Sequence, residues 1–239
     1  MLNVTQVKSH GLKSKNVVLS NALIRSAQGL NLVEKRILMA AITRMAGVMQ
    51  PIEITAQEYA DTFDIPVRQG YWQLKEAVSS LLNRHITYQD VQNGRVGTYK
   101  VNWLSSVFYT KDEGFITVKF NPELMPELCD LQEHFTQYQL KQASSLRSIH
   151  SWRLMELLQQ MKTKDAENGW LTISIEEFHH AMDSSTSYQA NFNLLKKRVI
   201  EPAIKELQEK DNWIINWNVL KKGRKISHLQ FNFSKIQKK

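Results

Sequence analysis

The sequence predicts an α+β fold made of two tandem units, each a helix-turn-helix followed by a β-hairpin. Three observations carry that prediction. Residues 188–233 read as a long basic-faced helix that runs at once into a hairpin with a cationic tip. The stretch from Leu30 to Phe120 gives helix, short strand, helix, turn, helix and strands in the same order. The two passes share architecture without sharing residue identities, so the repeat is one of elements. A winged helix has this order, and it offers one helix to a DNA major groove and a loop to the adjacent backbone.

Composition bounds the possibilities. With 239 residues and 42% hydrophobic content the chain can fill two ordinary cores, which excludes a disordered protein. Net charge is +8, with a sequence pI near 9.5. Its distribution says more than its sum: Lys and Arg number 14 against 9 acids in 1–120, 5 against 10 in 121–195, and 12 against 4 in 196–239. The cationic excess gathers at the last helix and hairpin, which points to a polyanion. Cys129 stands alone, so an intrachain disulfide or a multi-cysteine metal site is excluded; it reads as a core-packing thiol in a helix over 122–131 of a protein from a reducing compartment. No run approaches the ~18 apolar residues of a spanning helix, and the polar start MLNVTQVKSHGLKSKN is unlike a secretory signal. The expectation is a cytoplasmic protein with no membrane contact.

The polar residues 1–16 are expected to form a flexible arm. A first winged-helix domain is assigned to 17–121. Its first helix, over 30–45, places Leu32, Val33, Ile37, Leu38, Ala41 and Ile42 at helical spacing, begins with the Asn31 and Glu34 capping pair, and stops at Gly47 and Pro51. Ile52-Glu53-Ile54 alternates as a strand, and Thr55 with Glu58 opens a second helix through Tyr59 to Phe63. Asp64-Ile65-Pro66 forces a turn. A third helix over 68–84 packs through Tyr71, Leu74, Val78, Leu81 and Leu82. Strands at 86–92 and 98–109 meet at Asn93-Gly94, a strong hairpin signal, and this hairpin is taken as the wing; Lys111-Asp112-Glu113-Gly114 turns the chain into a strand over 115–120.

Residues 122–148, with HFTQYQLKQASSLRS at their centre, are read as a helical connector. A second winged-helix domain is assigned to 149–239. It comprises an amphipathic helix over 151–161, the strand Leu171-Thr172-Ile173-Ser174, a short helix over 175–182, a turn-rich gap at 183–187, a long helix over 191–209, and strands over 213–219 and 226–233 around Lys222-Gly223. Trp72, Trp103, Trp152, Trp170, Trp213 and Trp217 fall in elements that need cores and are expected to pack there.

Nucleic-acid contacts are expected first on the long helix. A wheel of 192–207 collects Phe192, Leu195, Val199, Ile200, Ala203, Ile204 and Leu207 on one side and Lys197, Arg198 and Lys205 opposite. Asn193 joins the candidate contacts near the helix start. Lys196 leans toward the apolar side and counts only if it reaches past the core edge. Pro202 removes a backbone donor inside the helix and should kink it. Taken alone, the basic triplet fits a solvated surface as well as it fits DNA. The second cluster, Lys221, Lys222, Arg224 and Lys225, shifts the balance, because it occupies the hairpin tip where a wing meets phosphates.

The first unit offers less: Gln69, Gln73 and Arg84 on its third helix, beside Glu76 and Ser80, and Arg95 on its hairpin. Glutamine can read adenine in a major groove, but this copy is expected to hold backbone or protein more than to specify sequence. Catalytic signals are poor: there is no Walker-type loop, no GxSxG elbow, and no His-apolar-His pair of a metal-dependent nicking enzyme. His179-His180 beside Glu176-Glu177 reads as polar helix surface, since neighbours on a helix do not face one another. No enzyme activity, cofactor or metal is expected.

Four strings in order, VVLSNALIRSAQGLNLVEKRILMAAI (17–42), ITAQEYADTFDIP (54–66), FTQYQLKQASSLRSIHSWRLMELL (135–158) and RVIEPAIKELQ (198–208), give the chain a resemblance to the replication initiators of iteron-containing plasmids, the family of the F-plasmid initiator. The resemblance covers nearly everything from Val17 onward. It implies two winged helices, a monomer that binds directly repeated origin sites through both, and a dimer that represses its own gene from an inverted repeat. It matches Lys196, Lys197 and Arg198 to the family's base- and phosphate-contacting run, gives the first domain the dimer interface, and implies the host initiator and replicative helicase as partners. Met155 stands where relatives often carry tyrosine, Pro202 interrupts the recognition helix, and the end at Lys238-Lys239 follows closely on the last strand. The alternative of the same fold class is a winged-helix transcriptional regulator without an origin role.

Overall fold

The computed structural model describes residues 11–45, 50–110, 113–129, 134–163 and 168–236. A 3-10 turn at Leu12–Ser14 is docked on the body: Leu12 is buried and its N–H donates to Thr62 Oγ1 at 2.9 Å. This corrects the expected arm, which was to run to 16; residues 1–10 of it lie outside the described residues. β1 (Asn16–Ser20) follows, then α1 (Asn21–Arg25), where Ser20 Oγ caps by accepting from the Leu23 N–H.

α2 (Leu32–Ile42) opens on the predicted capping box, Asn31 and Glu34 each accepting the other's backbone N–H. Its predicted stop at Gly47 lies outside the described residues. β2 (Ile52–Thr55) feeds α3 (Ala56–Phe63), capped by Thr55. Asp64 at φ 50° ends α3, and α4 (Val67–Leu81) starts directly after Pro66. Gly70 allows α3 and α4 to cross closely, since a Cβ there would stand 2.9 Å from the Ala56 carbonyl oxygen.

β3 (His85–Gln92) and β4 (Arg95–Asn102) form a two-stranded hairpin through Asn93 and Gly94, both at positive φ (52° and 73°), as a type I′ turn requires. β5 (Leu104–Tyr109) and β6 (Phe115–Phe120) join β2 in a separate antiparallel sheet ordered β2-β6-β5. The wing of the first unit is therefore the β5–β6 connection, not the Asn93-Gly94 hairpin, which is an addition between recognition helix and wing. Part of the true wing tip, 111–112, lies outside the described residues.

The connector is only partly helical. A 3-10 turn at Pro122–Leu124 and α5 (Met125–Leu128) are followed by β7 (Phe135–Gln139) and α6 (Lys141–Ser144). β7 pairs antiparallel with β1 along its whole length, Asn16 opposite Gln139 and Ser20 opposite Phe135. Thr136 and Tyr138 face inward while Phe135, Gln137 and Gln139 face out, a period of two that the polar composition concealed. Cys129 lies just beyond α5, half-buried against the core.

α7 (Ile149–Gln160) was expected to be amphipathic, yet Ser151 through Gln159 are buried on every side. Such all-round burial marks a central helix, and α7 packs against α1, β7 and elements of the second unit. Beyond α7 come β8 (Asn168–Ser174), α8 (Ile175–Ala181), α9 (Thr186–Ala190) and α10 (Phe192–Leu195). A π-helical turn at Lys196–Ile200 then joins α10 to α11 (Glu201–Asp211), and β9 (Trp213–Lys222) and β10 (Lys225–Lys235) close the unit. Its sheet is ordered β8-β10-β9, the same order as in the first unit. Each unit thus places its short first strand beside the last strand of the wing, and its recognition helix between them in sequence.

Buried charge joins the two units at α7. Lys35 of α2 lies 2.8 Å from Glu156, and Arg153 lies 3.0 Å from the same carboxylate, all three buried. Tyr138 donates to Glu156 at 2.8 Å, and the Trp152 indole donates to Tyr138 at 2.9 Å. The remaining Arg153 donors reach the carbonyls of Ile24, Ser26 and Ala181 at 2.7–2.9 Å. Asp183, at φ 48°, accepts from the N–H groups of Gln28 and Gly29 at 3.0 and 3.1 Å. Burial pushes Lys35 down to about 8. Burial would raise Glu156, but Lys35 and Arg153 outweigh it and hold the carboxyl below its ordinary range.

Candidate nucleic-acid interface

The recognition helix of the second unit is built from α10, the π turn and α11. Asn191 caps it, accepting from the Leu194 N–H at 3.1 Å. Leu195, Val199, Ile200, Ala203, Ile204 and Leu207 are buried as predicted, while Phe192 is only half-buried. Pro202, which has no N–H, sits in the first turn of α11, and the Glu201 N–H reaches back five residues to the Lys196 carbonyl. The helix absorbs the proline by widening one turn, so the register expected of a straight helix shifts within the basic triplet.

Lys197 and Arg198 project into solvent, and neither has an ion-pair partner among the described residues. Asn193 is also exposed near the start of the helix. Lys196 is half-buried. Its ammonium lies 3.5 Å from Glu201 and 5.9 Å from the centroid of Trp217, so the side chain bends along the core edge. Lys205 is exposed and 3.9 Å from Glu209, a helix-surface pair.

The wing carries Lys221, Lys222, Arg224 and Lys225, all exposed, around Gly223 at φ 64°. Arg224 and Lys225 line one cleft with Phe192, Gln189 and His179, which brings the wing tip and the start of the recognition helix to a common surface. Lys197, Arg198 and the four wing cations have no ion-pair partner among the described residues, whereas Lys196 and Lys205 do, and unpaired cations are the ones free to contact phosphates.

The first unit divides its candidates. Gln69 is exposed on α4. Gln73 is half-buried, accepting from the Tyr59 hydroxyl at 2.8 Å. Arg84 was expected on the third helix but lies three residues past the end of α4; it donates to the buried Glu34 carboxylate at 2.8 Å, to which Ser80 of α4 also donates at 2.5 Å, so the end of α4 is tied to the start of α2. Arg95 is exposed, but on the added hairpin and so away from the wing. Sequence reasoning placed all six tryptophans in cores. Trp103, Trp152 and Trp213 are buried and Trp217 half-buried, whereas Trp72 and Trp170 are 49% and 60% exposed. Trp170 alternates out of phase with Leu171 and Ile173, which the period of two in β8 buries, and that was the available signal; for Trp72 the sequence carried none.

His179 is lowered by burial, with Glu176 opposing that. His180 does more than cover a surface: its Nε2 accepts from the Ala27 N–H at 3.2 Å beside the Thr87 carbonyl, joining α8 to the first unit. Among the described residues no group of three or more His, Cys, Asp or Glu could hold a metal ion. No described helix is long and apolar enough to cross a membrane.

Two winged helices with matching sheet order, the second presenting exposed cations on helix and wing, define a DNA-binding protein. The chain belongs to the initiator replication protein family, whose first winged-helix model matches residues 16–159 and whose second matches 174–233; it is a DNA-binding replication initiator. It is similar to an uncharacterised 27.6 kDa protein of Escherichia coli, 25% identical over 95% of this chain and 96% of that one. It is also similar to the PI protein of Escherichia coli, 27% identical over 56% of this chain and 48% of that one. Among solved structures, the Pi initiator protein in complex with iteron DNA shares the fold at a TM-score of 0.79, with 22% identity over 95% of this chain and 99% of that chain. Domains 2 and 3 of RctB share it at 0.54, with 6% identity over 85% and 81%.

Proposed function

We propose that the protein starts replication of a plasmid by binding, as a monomer, directly repeated origin sites of the iteron type, and that a dimer represses its own gene. The observation that carries this reading is the pair of equivalent winged helices locked on one central helix, in a fold that the Pi initiator uses with iteron DNA. The second unit, from 149 onward, supplies the principal contacts. Lys197, Arg198 and Asn193 enter a major groove, with Lys196 and Lys205 at its margins, and Lys221, Lys222, Arg224 and Lys225 hold the backbone beside it.

The first unit, 17–121, adds Gln69 and lesser contacts near Gln73, Arg84 and Arg95, and supplies the dimer interface; 122–148 joins the two. The host initiator and replicative helicase are the expected partners, the cytoplasm the expected location, and no catalytic step belongs to this role. A mobility-shift titration tests it, comparing tandem repeats from beside the gene with random duplex at moderate salt. Tighter binding to the repeats is expected. Equal binding to both duplexes would sink the reading, and preference for an inverted repeat alone would favour a regulator without an origin role.

A further inference from the structure

α4 seals its core with Gly70, Leu74, Ala77 and Leu81, all buried. Trp72 points the other way and is 49% exposed, on a stripe of α4 shared with Arg68, Gln69, Lys75 and Glu76. The Lys75 ammonium stands 5.1 Å from the indole centroid, and a cleft beside the ring is walled by Gln69, Gln73 and Glu76. By sheet order α4 is the counterpart of the helix that carries Lys197 and Arg198. The largest exposed apolar side chain of this helix therefore sits on the face equivalent to the one that carries Lys197 and Arg198, flanked by Arg68, Gln69, Lys75 and Glu76.

We propose that Trp72 is a specificity-determining residue of the first winged helix, its indole packing on a thymine methyl in the major groove while Arg68 and Lys75 meet the flanking phosphates. The C5-methyl of thymine is the apolar group that a base pair displays in that groove. In a stacked duplex the base faces are covered, so the methyl is the apolar edge most open to a ring that enters the major groove, and phosphates offer an indole little. Gln69 and Glu76 supply the acceptors and donors for neighbouring base edges. The proposal rests on the reading of the protein as a DNA binder that engages both units, and it gives the first unit a share in sequence choice that its modest charge concealed.

The test is a double-mutant cycle between protein and DNA. Wild type, Trp72→Ala and Trp72→Phe are titrated against the repeat duplex and against the same duplex with deoxyuridine for every thymine, which removes methyls and keeps all hydrogen-bonding groups. Wild type should lose about tenfold on the uracil duplex, and Trp72→Ala should lose about tenfold on the thymine duplex with a much smaller further loss on uracil. Trp72→Phe should retain part of the methyl preference. Trp72→Ala binding the thymine duplex as wild type does, or carrying the same uracil penalty as wild type, would overturn the assignment. Thermal melting confirms that the variants fold. Wild type failing to prefer the repeats over random duplex would instead overturn the function itself, and the assignment with it.

Discussion

Lys197 and Arg198 are the residues whose chemistry is freest to act, because the fold gives their charges no carboxylate partner among the described residues. Replacing both by alanine should weaken specific binding by at least about thirtyfold, at ~1–3 kcal/mol for each base contact, and should flatten the dependence of log affinity on log salt by up to about two. A salt series of mobility shifts measures both, and an unchanged slope would remove them from the phosphate contacts. Lys35 makes the opposite case, a charge held inside. The folded protein releases that proton near pH 8, while the unfolded chain keeps it to about 10.5. Between these values the unfolded state binds more protons, so the Lys35 contribution to stability is fully present at high pH and is lost as pH falls through 8. Urea unfolding between about pH 7.5 and 9 should show stability rising with pH, a trend that Lys35→Met should flatten; nearer pH 10 the buried Tyr59 and Tyr138, whose hydroxyls burial raises, pull stability the other way.

At the scale of elements, the π turn at Lys196–Ile200 shows which force sets the helix register. Pro202→Ala restores a backbone donor worth about 1 kcal/mol. Closing the turn into regular helix would rotate α10 by roughly 100° and carry Leu195 out of the core, at ~2 kcal/mol or more. Burial wins, so the variant should keep the wide turn and bind the repeats within about threefold of wild type; a larger change would show that proline, not burial, holds the register. The sequence made the winged helices legible because their helices carry capping boxes and clean apolar spacing, as at Asn31 and Glu34. It misplaced the first wing because Asn93-Gly94 is the stronger local turn signal, and only the pairing of β5 with β6 and β2 identifies the wing. β7 was hidden because three of its five side chains face solvent and its partner, β1, lies more than a hundred residues earlier. In the candidate site the cationic tip was legible from composition alone. The outward turn of Trp72 was not, because apolar spacing cannot say which large side chain the core has room for.

The whole molecule is held by a buried polar junction that no local pattern announced. Lys35, Arg153 and Glu156 come from separated segments, and each is satisfied only when α2, α7, β7 and the end of α8 are assembled. Glu156→Gln leaves two buried cations without their carboxylate and should destabilise the protein by about 3–5 kcal/mol. Because both units lean on α7, wild type should unfold in one transition when followed by near- and far-ultraviolet circular dichroism. Separate transitions for the two units would contradict the coupling.

Asp183 and Arg153 clamp the backbone of the loop before α2 to the second unit. The distance between the two recognition helices is accordingly written in hydrogen bonds rather than in a linker, and under the proposed binding by both units it would act as a gauge of helical phase on DNA. A half-turn inserted between the two halves of a repeat would put the second groove on the far side of the duplex. With the protein stiff at its middle, smaller misfits must be taken up by bending or twisting the DNA, so flexible base steps between the two contacts become part of what the protein selects.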